Sequence, residues 1–190
     1  MNKYIASILF LISFCYQTHL ASFEISSFSL EPRVTLFLPS SNTFQTIYGR
    51  GNPSYELQAN LEFGKFSGWL NTSWFQENGN SVGFHDATRV YISNTSFGLS
   101  YISPPSGPAR SYVGLGPSFG VIWLHNKSPC FSKHASKFAL GLVVKLGLWI
   151  DVSEDLYVDV FVDYLYQPVS FESRQDIGGF KPGFGVGYKF

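Results

Sequence analysis

The chain has 190 residues and a formal net charge of +0, from 13 basic and 13 acidic side chains, so nothing in its charge implies a nucleic-acid partner or a strongly charged ligand. Charged residues make up only 14%, against roughly 25% in an ordinary soluble domain, while aromatic residues reach 18%. This composition supplies too little charged surface for the usual water-facing globule.

Residues 1–22, MNKYIASILFLISFCYQTHLAS, carry a lysine near the start, an apolar stretch from Tyr4 to Phe14, and small Ala21 and Ser22. That order predicts a secretory signal peptide that is removed, leaving 23–190 as one domain. The apolar stretch is shorter than the roughly 20 residues of a spanning helix. Removal takes Cys15 with it and leaves Cys130 alone, so no internal disulfide framework is expected.

From residue 28 onward apolar residues recur at alternate positions, which is the period of a strand whose two faces differ. SLEPRVTLFL sets Leu30, Val34, Leu36 and Leu38 against Glu31, Arg33 and Thr35. YELQANLEF sets Tyr55, Leu57, Ala59, Leu61 and Phe63 against Glu56, Gln58, Asn60 and Glu62. FSGWLNTSWF, RVYISNTSFGLSY and SYVGLGPSFGVIWL are more mixed, rich in aromatic, glycine and small polar residues. FALGLVVKLGLWI has a wholly apolar face running from Phe138 to Ile150, with Lys145 on the other. LYVDVFVDYLYQ opposes Leu156, Val158, Val160 and Val162 to Asp159 and Asp163. The closing stretch alternates Phe180, Pro182, Phe184, Val186, Tyr188 and Phe190 with Lys181, three glycines and Lys189. The clearest of these are about the 9–11 residues of a tilted membrane-crossing strand, and they total about eight. No helical periodicity stands out, so no helix is expected.

The connections alternate in length. Gly64-Lys65, SPPSGPAR and DVSED are short; PSSNTFQTIYGRGNP, ENGNSVGFHDA, HNKSPCFSKHASK and PVSFESRQDIG are long. Such alternation belongs to barrels with tight turns at one end and larger loops at the other. The prediction is all-β: a closed antiparallel transmembrane β-barrel of about eight strands in an up-and-down meander.

A soluble barrel of this size is apolar inside and polar outside. Here the large apolar face has no room within a narrow lumen, so it is expected to face lipid. The interior then holds Glu31, Arg33, Glu56, Glu62, Lys145, Asp159, Asp163, Lys181 and Lys189, five acids and four bases. Near balance predicts a paired, hydrated plug rather than an open charged pore, with Gly183, Gly185 and Gly187 keeping the interior passable. Tyr55, Tyr91, Tyr101, Tyr112, Trp123, Trp149, Tyr164, Tyr166 and Tyr188 are expected in interfacial girdles.

On these features the chain resembles the small outer-membrane β-barrel superfamily of Gram-negative-type bacteria, including OmpA-like transmembrane domains and the OmpX and OmpW proteins. The most specific part is the C-terminus, where Phe184, Val186, Tyr188 and Phe190 resemble the signal read by the barrel-assembly machinery. EPRVTLFLPSSNTFQTIYG and FVDYLYQPV are similar to outer-membrane proteins of chlamydia-like bacteria. The resemblance implies residence in a bacterial outer membrane, contact with its lipid and lipopolysaccharide, and a structural or surface-interaction role, including adhesion to a host or surface ligand through outer loops. A narrow porin-like channel for small solutes is the alternative.

No cofactor is implied, and no enzyme is expected. Lipid A chemistry would need a serine activated by histidine; Ser81 near His85-Asp86 and Ser128 near His125 are adjacent in loops without a recognisable pattern. Lys127, Lys133 and Lys137 are candidate contacts for a surface polyanion. Cys130 with His125 and His134 matches no standard metal-ligand spacing.

Overall fold

The computed structural model describes residues 25–80, 87–127, 132–170 and 174–190. In chain order it contains β1 (Ser27–Pro39), α1 (Asn42–Tyr48), β2 (Asn52–Phe63), β3 (Phe66–Asn80), β4 (Ala87–Ile102), β5 (Ala109–Lys127), β6 (Ser132–Asp151), β7 (Leu156–Tyr166), β8 (Pro168–Ser170), β9 (Arg174–Asp176) and β10 (Gly179–Lys189). Eight of the strands form a closed antiparallel meander in which β10 returns to pair with β1, Val34 facing Phe184 and Leu38 facing Phe180. Closure gives each of these eight strands a partner on both sides, which is what hydrocarbon requires of a sheet. β8 and β9 form a separate short hairpin.

The alternation read from the sequence is the alternation of the wall. Along β1, Ser29, Glu31, Arg33, Thr35 and Phe37 are buried, while Leu30, Val34 and Leu36 face out. Leu57, Leu70, Leu140, Leu146, Val160 and Phe184 are all about half exposed or more on the outside, forming an apolar belt. Short turns join β2 to β3, β4 to β5 and β6 to β7, at the end where the strand ends Ser27 and Lys189 also lie. Gly64 and Gly107 adopt positive φ of 61° and 66° within two of these turns, a conformation other residues adopt only at a cost.

Four sequence expectations need correction. A helix does form: Ser41 caps α1 by accepting the Phe44 N–H on its side chain at 3.4 Å, in a loop segment too short to show periodicity. β5 and β6 run 19 and 20 residues, well past the barrel's 11-residue β7, so much of the expected long loop between them is paired strand. Tyr112 and Trp149 are not girdle residues but are 5% and 2% exposed inside the lumen, because their parity points them inward. The glycines of β10 do not leave a passage. A side chain at Gly187 would collide with the Tyr157 ring, and one at Gly185 would stand 3.0 Å from Arg33 Cγ.

Candidate functional site

The inward half of each strand fills the lumen in three levels. At the end bearing the turns, Arg110 Nη1 donates to Glu62 Oε2 at 2.7 Å and its Nε lies 3.4 Å from Asp151 Oδ2. Lys189 Nζ donates to Asp151 Oδ1 at 2.6 Å, giving two acids and two bases. These side chains are 11–31% exposed, so water screens them in part.

The middle level is buried and centred on Arg33. Its guanidinium lies 3.1 Å from Glu31, 3.6 Å from Glu56, 3.4 Å from Asp159 and 3.2 Å from Asp163, and stacks 3.3 Å over the Phe161 ring. Register produces this meeting: Arg33 is directly opposite Glu56, and Asp163 is directly opposite both Lys145 and Lys181. Lys145 Nζ donates to Asp163 at 2.7 Å and to Gln58 Oε1 at 2.8 Å, while Lys181 pairs with Glu56. Four carboxyl groups thus face three cations. Neutral donors add to these pairs: Tyr112 to Asp159 at 2.8 Å, Tyr157 to Glu31 at 3.1 Å, Asn60 to Glu31 at 3.3 Å and Asn71 to Glu56 at 2.9 Å; Asp159 Oδ1 and Asp163 Oδ1 are left without a hydrogen-bond partner among the described residues. Charges removed from water need such pairing and hydrogen bonding to remain tolerable.

The third level closes the mouth away from the termini, and it is apolar. Phe37, Phe75, Val90, Ile92 and Ile122 from the wall pack with Phe44 and Tyr48 of α1, with Val169 of β8 and with Ile177 just after β9. Phe37 meets Phe75 at 5.1 Å edge-on, and Phe44 meets Tyr48 at 4.8 Å. Tyr48 shares a 3.3 Å hydrogen bond with Thr88, and burial raises its phenol above the ordinary pKa. On the hairpin side, Gln167 is fully buried, accepts from Asn94 at 2.7 Å and donates to the Ala139 carbonyl at 3.3 Å. Asp176 Oδ1 accepts two backbone N–H groups, of Gln167 and Gly178, each at 2.9 Å.

Between the apolar mouth and the Arg33 level, two voids lined by residues such as Asn94, Ser73 and Lys181 measure about 20 and 10 Å³. Each has room for about one water.

The structure therefore places Glu31, Arg33, Glu56, Lys145, Asp159, Asp163 and Lys181 in one network, and Glu62 and Lys189 in the separate terminal level. Sequence reading missed Arg110 and Asp151, which sit where turns begin, and the donors Tyr112 and Tyr157, which strand parity would have turned inward. Phe184, Val186, Tyr188 and Phe190 face outward as one row, 43–71% exposed. Lys127 faces Ser132, Lys133 faces Asn126 and Lys137 faces Ile122 on the β5–β6 ribbon; Lys137 is exposed, and the side chains of Lys127, Lys133 and His134 lie outside the described set. Residues 1–22, Ser81, His85, Asp86, Ser128 and Cys130 also lie outside the described residues. Among the described residues there is no cluster of metal-binding side chains.

An eight-stranded closed barrel with an apolar exterior, a polar middle and one sealed mouth defines the class: it has the architecture of small membrane-spanning barrels. Solved structures agree in fold. Outer membrane protein OprG of Pseudomonas aeruginosa superposes with a TM-score of 0.70 at 15% identity, over 86% of this chain and 95% of that one. Neisserial surface protein A superposes at 0.61 and 14% identity, over 86% and 97%. Ail, the attachment invasion locus protein of Yersinia pestis, solved with the heparin analogue sucrose octasulfate, superposes at 0.56 and 14% identity, over 86% and 97%. No protein-family model and no curated protein sequence matches the chain.

Proposed function

We propose that this chain is an integral barrel of a bacterial outer membrane that does not conduct solutes and acts through its outer surface, in envelope integrity and adhesion. The observation that carries this reading is the lumen: a buried, ion-paired middle under an apolar mouth covered by α1 and the β8–β9 hairpin. What remains for function is the outer end, where β3 to β6 run on together and Lys127, Lys133 and Lys137 lie along the β5–β6 pair. Lipopolysaccharide phosphates and host polyanions are the ligands such cations suit. Residues 1–22 act as the export signal, and Phe184, Val186, Tyr188 and Phe190 as the assembly signal.

Two measurements test this. Barrel closure predicts that unheated, detergent-extracted protein migrates differently from boiled protein, and identical migration would remove the membrane-barrel reading. Surface function predicts that shortening the β5–β6 ribbon across 125–137 lowers binding of expressing cells to heparin-coated surfaces without changing that migration; unchanged binding removes the adhesive role.

A further inference from the structure

The barrel exterior is not uniform. On β2 to β5, near the sealed mouth, Tyr55, Trp74, Tyr91 and Trp123 surround the small outward residue Ser93, leaving a groove of about 440 Å³ with Pro53 at its edge. Register sets this up: Tyr55 is opposite Trp74, Trp74 opposite Ser93, and Tyr91 opposite Trp123. One serine among four large rings makes a slot. Its volume falls in the range of pockets that hold small organic ligands.

Directly beyond the groove, toward the mouth, the wall turns polar. Asn78, Arg89 and His125 line an adjoining recess of about 110 Å³. Arg89 is held in place by donating through Nε to Asn78 Oδ1 at 2.6 Å and through Nη1 to the Tyr91 hydroxyl at 3.2 Å. Those bonds use two of the five N–H donors of a guanidinium. Among the described residues no carboxylate pairs with Arg89. Tyr91 links the two halves, its ring in the groove 6.2 Å from the His125 ring and edge-on to it.

From an apolar slot ending under a fixed cation we infer that this face binds one phosphate-bearing lipid of the surrounding leaflet, its acyl chain between Trp74 and Trp123 and its anionic headgroup on Arg89 and His125. Charge complementarity selects the occupant: a zwitterionic lipid offers the same chain but no net charge to the guanidinium. A single basic group near a membrane favours anionic lipid by about fivefold. The inference rests on the membrane-barrel reading, and its test separates the two.

The whole chain is reconstituted into phosphatidylcholine vesicles in which 10% of the lipid carries brominated chains, on either phosphatidylglycerol or phosphatidylcholine. Bromine quenches tryptophan on contact, and Trp74 and Trp123 are the outward tryptophans, whereas Trp69 and Trp149 are buried inside. The expected result is stronger quenching by the brominated anionic lipid, equivalent to about fivefold preferential occupancy. Arg89→Gln should bring the two lipids to within twofold, and Ser93→Leu, which fills the slot, should reduce quenching by the anionic lipid while heat-modifiable migration persists. Equal quenching of the unsubstituted protein by both lipids overturns the site. Absence of quenching by either, with no heat-modifiable species, overturns the membrane reading instead.

Discussion

The middle of the lumen and its mouth are closed by opposite chemistry. Around Arg33 the barrel is filled by four carboxyl groups and three cations, and at the mouth it is filled by Phe37, Phe44, Phe75, Ile92 and Ile177. The middle is built from the barrel strands, so register fixes it as soon as the wall closes. The mouth depends on α1 and the β8–β9 hairpin, which are connections rather than wall. A plug in the wall is lost only with the barrel; a lid made of connections can be loosened alone.

That contrast is broken most severely at its centre. Arg33→Met leaves Glu31, Glu56, Asp159 and Asp163 around a neutral side chain, and removing one partner of a buried ion network costs about 3–5 kcal/mol. Urea unfolding of the reconstituted barrel measures it, and a loss below about 1 kcal/mol would mean the middle level is not held by this cation. At the mouth, Phe44→Ala removes about 3 kcal/mol of apolar packing from a lid residue that is 7% exposed. Its expected readout is local: trypsin should cut faster after Arg50 while the urea midpoint of the barrel barely moves. A large fall in the midpoint would show that lid and wall unfold as one unit.

Smaller effects sharpen the same comparison. Gly187→Ala pushes a methyl group into the Tyr157 ring, and overpacking of this kind costs about 1–3 kcal/mol. Unchanged stability would show that Tyr157 moves aside. Lys189→Gln removes a partly exposed pair with Asp151 at the turn end and should cost below about 1 kcal/mol, less still at high salt. A larger loss would make the terminal level as important as the middle.

How much of this could be read beforehand follows from period and parity. Strands such as β6 and β7 were legible because every second residue is apolar, and the inward charges Lys145, Asp159 and Asp163 fell out of the same alternation. Alternation says which face a residue takes but not who stands across from it. The meeting of Arg33 with Asp159 and Asp163 depends on closure between β10 and β1, a contact spanning most of the chain. The sealed mouth was illegible for another reason: Phe44 and Ile177 lie in connections rich in turn residues, where apolar side chains show no period. Arg110 and Asp151 hid at turn boundaries. Tyr112 and Trp149 suit a girdle as aromatics near strand ends, yet parity puts both inside.

Filling of the lumen from its middle to its mouth is tested by single-channel current across a planar bilayer containing the refolded chain. Protein that shows heat-modifiable migration is expected to give no discrete conductance steps, because Arg33 and its carboxylates would obstruct the middle even with α1 displaced. Regular, resolvable steps from the unsubstituted protein would contradict it and establish a conducting path through the lumen.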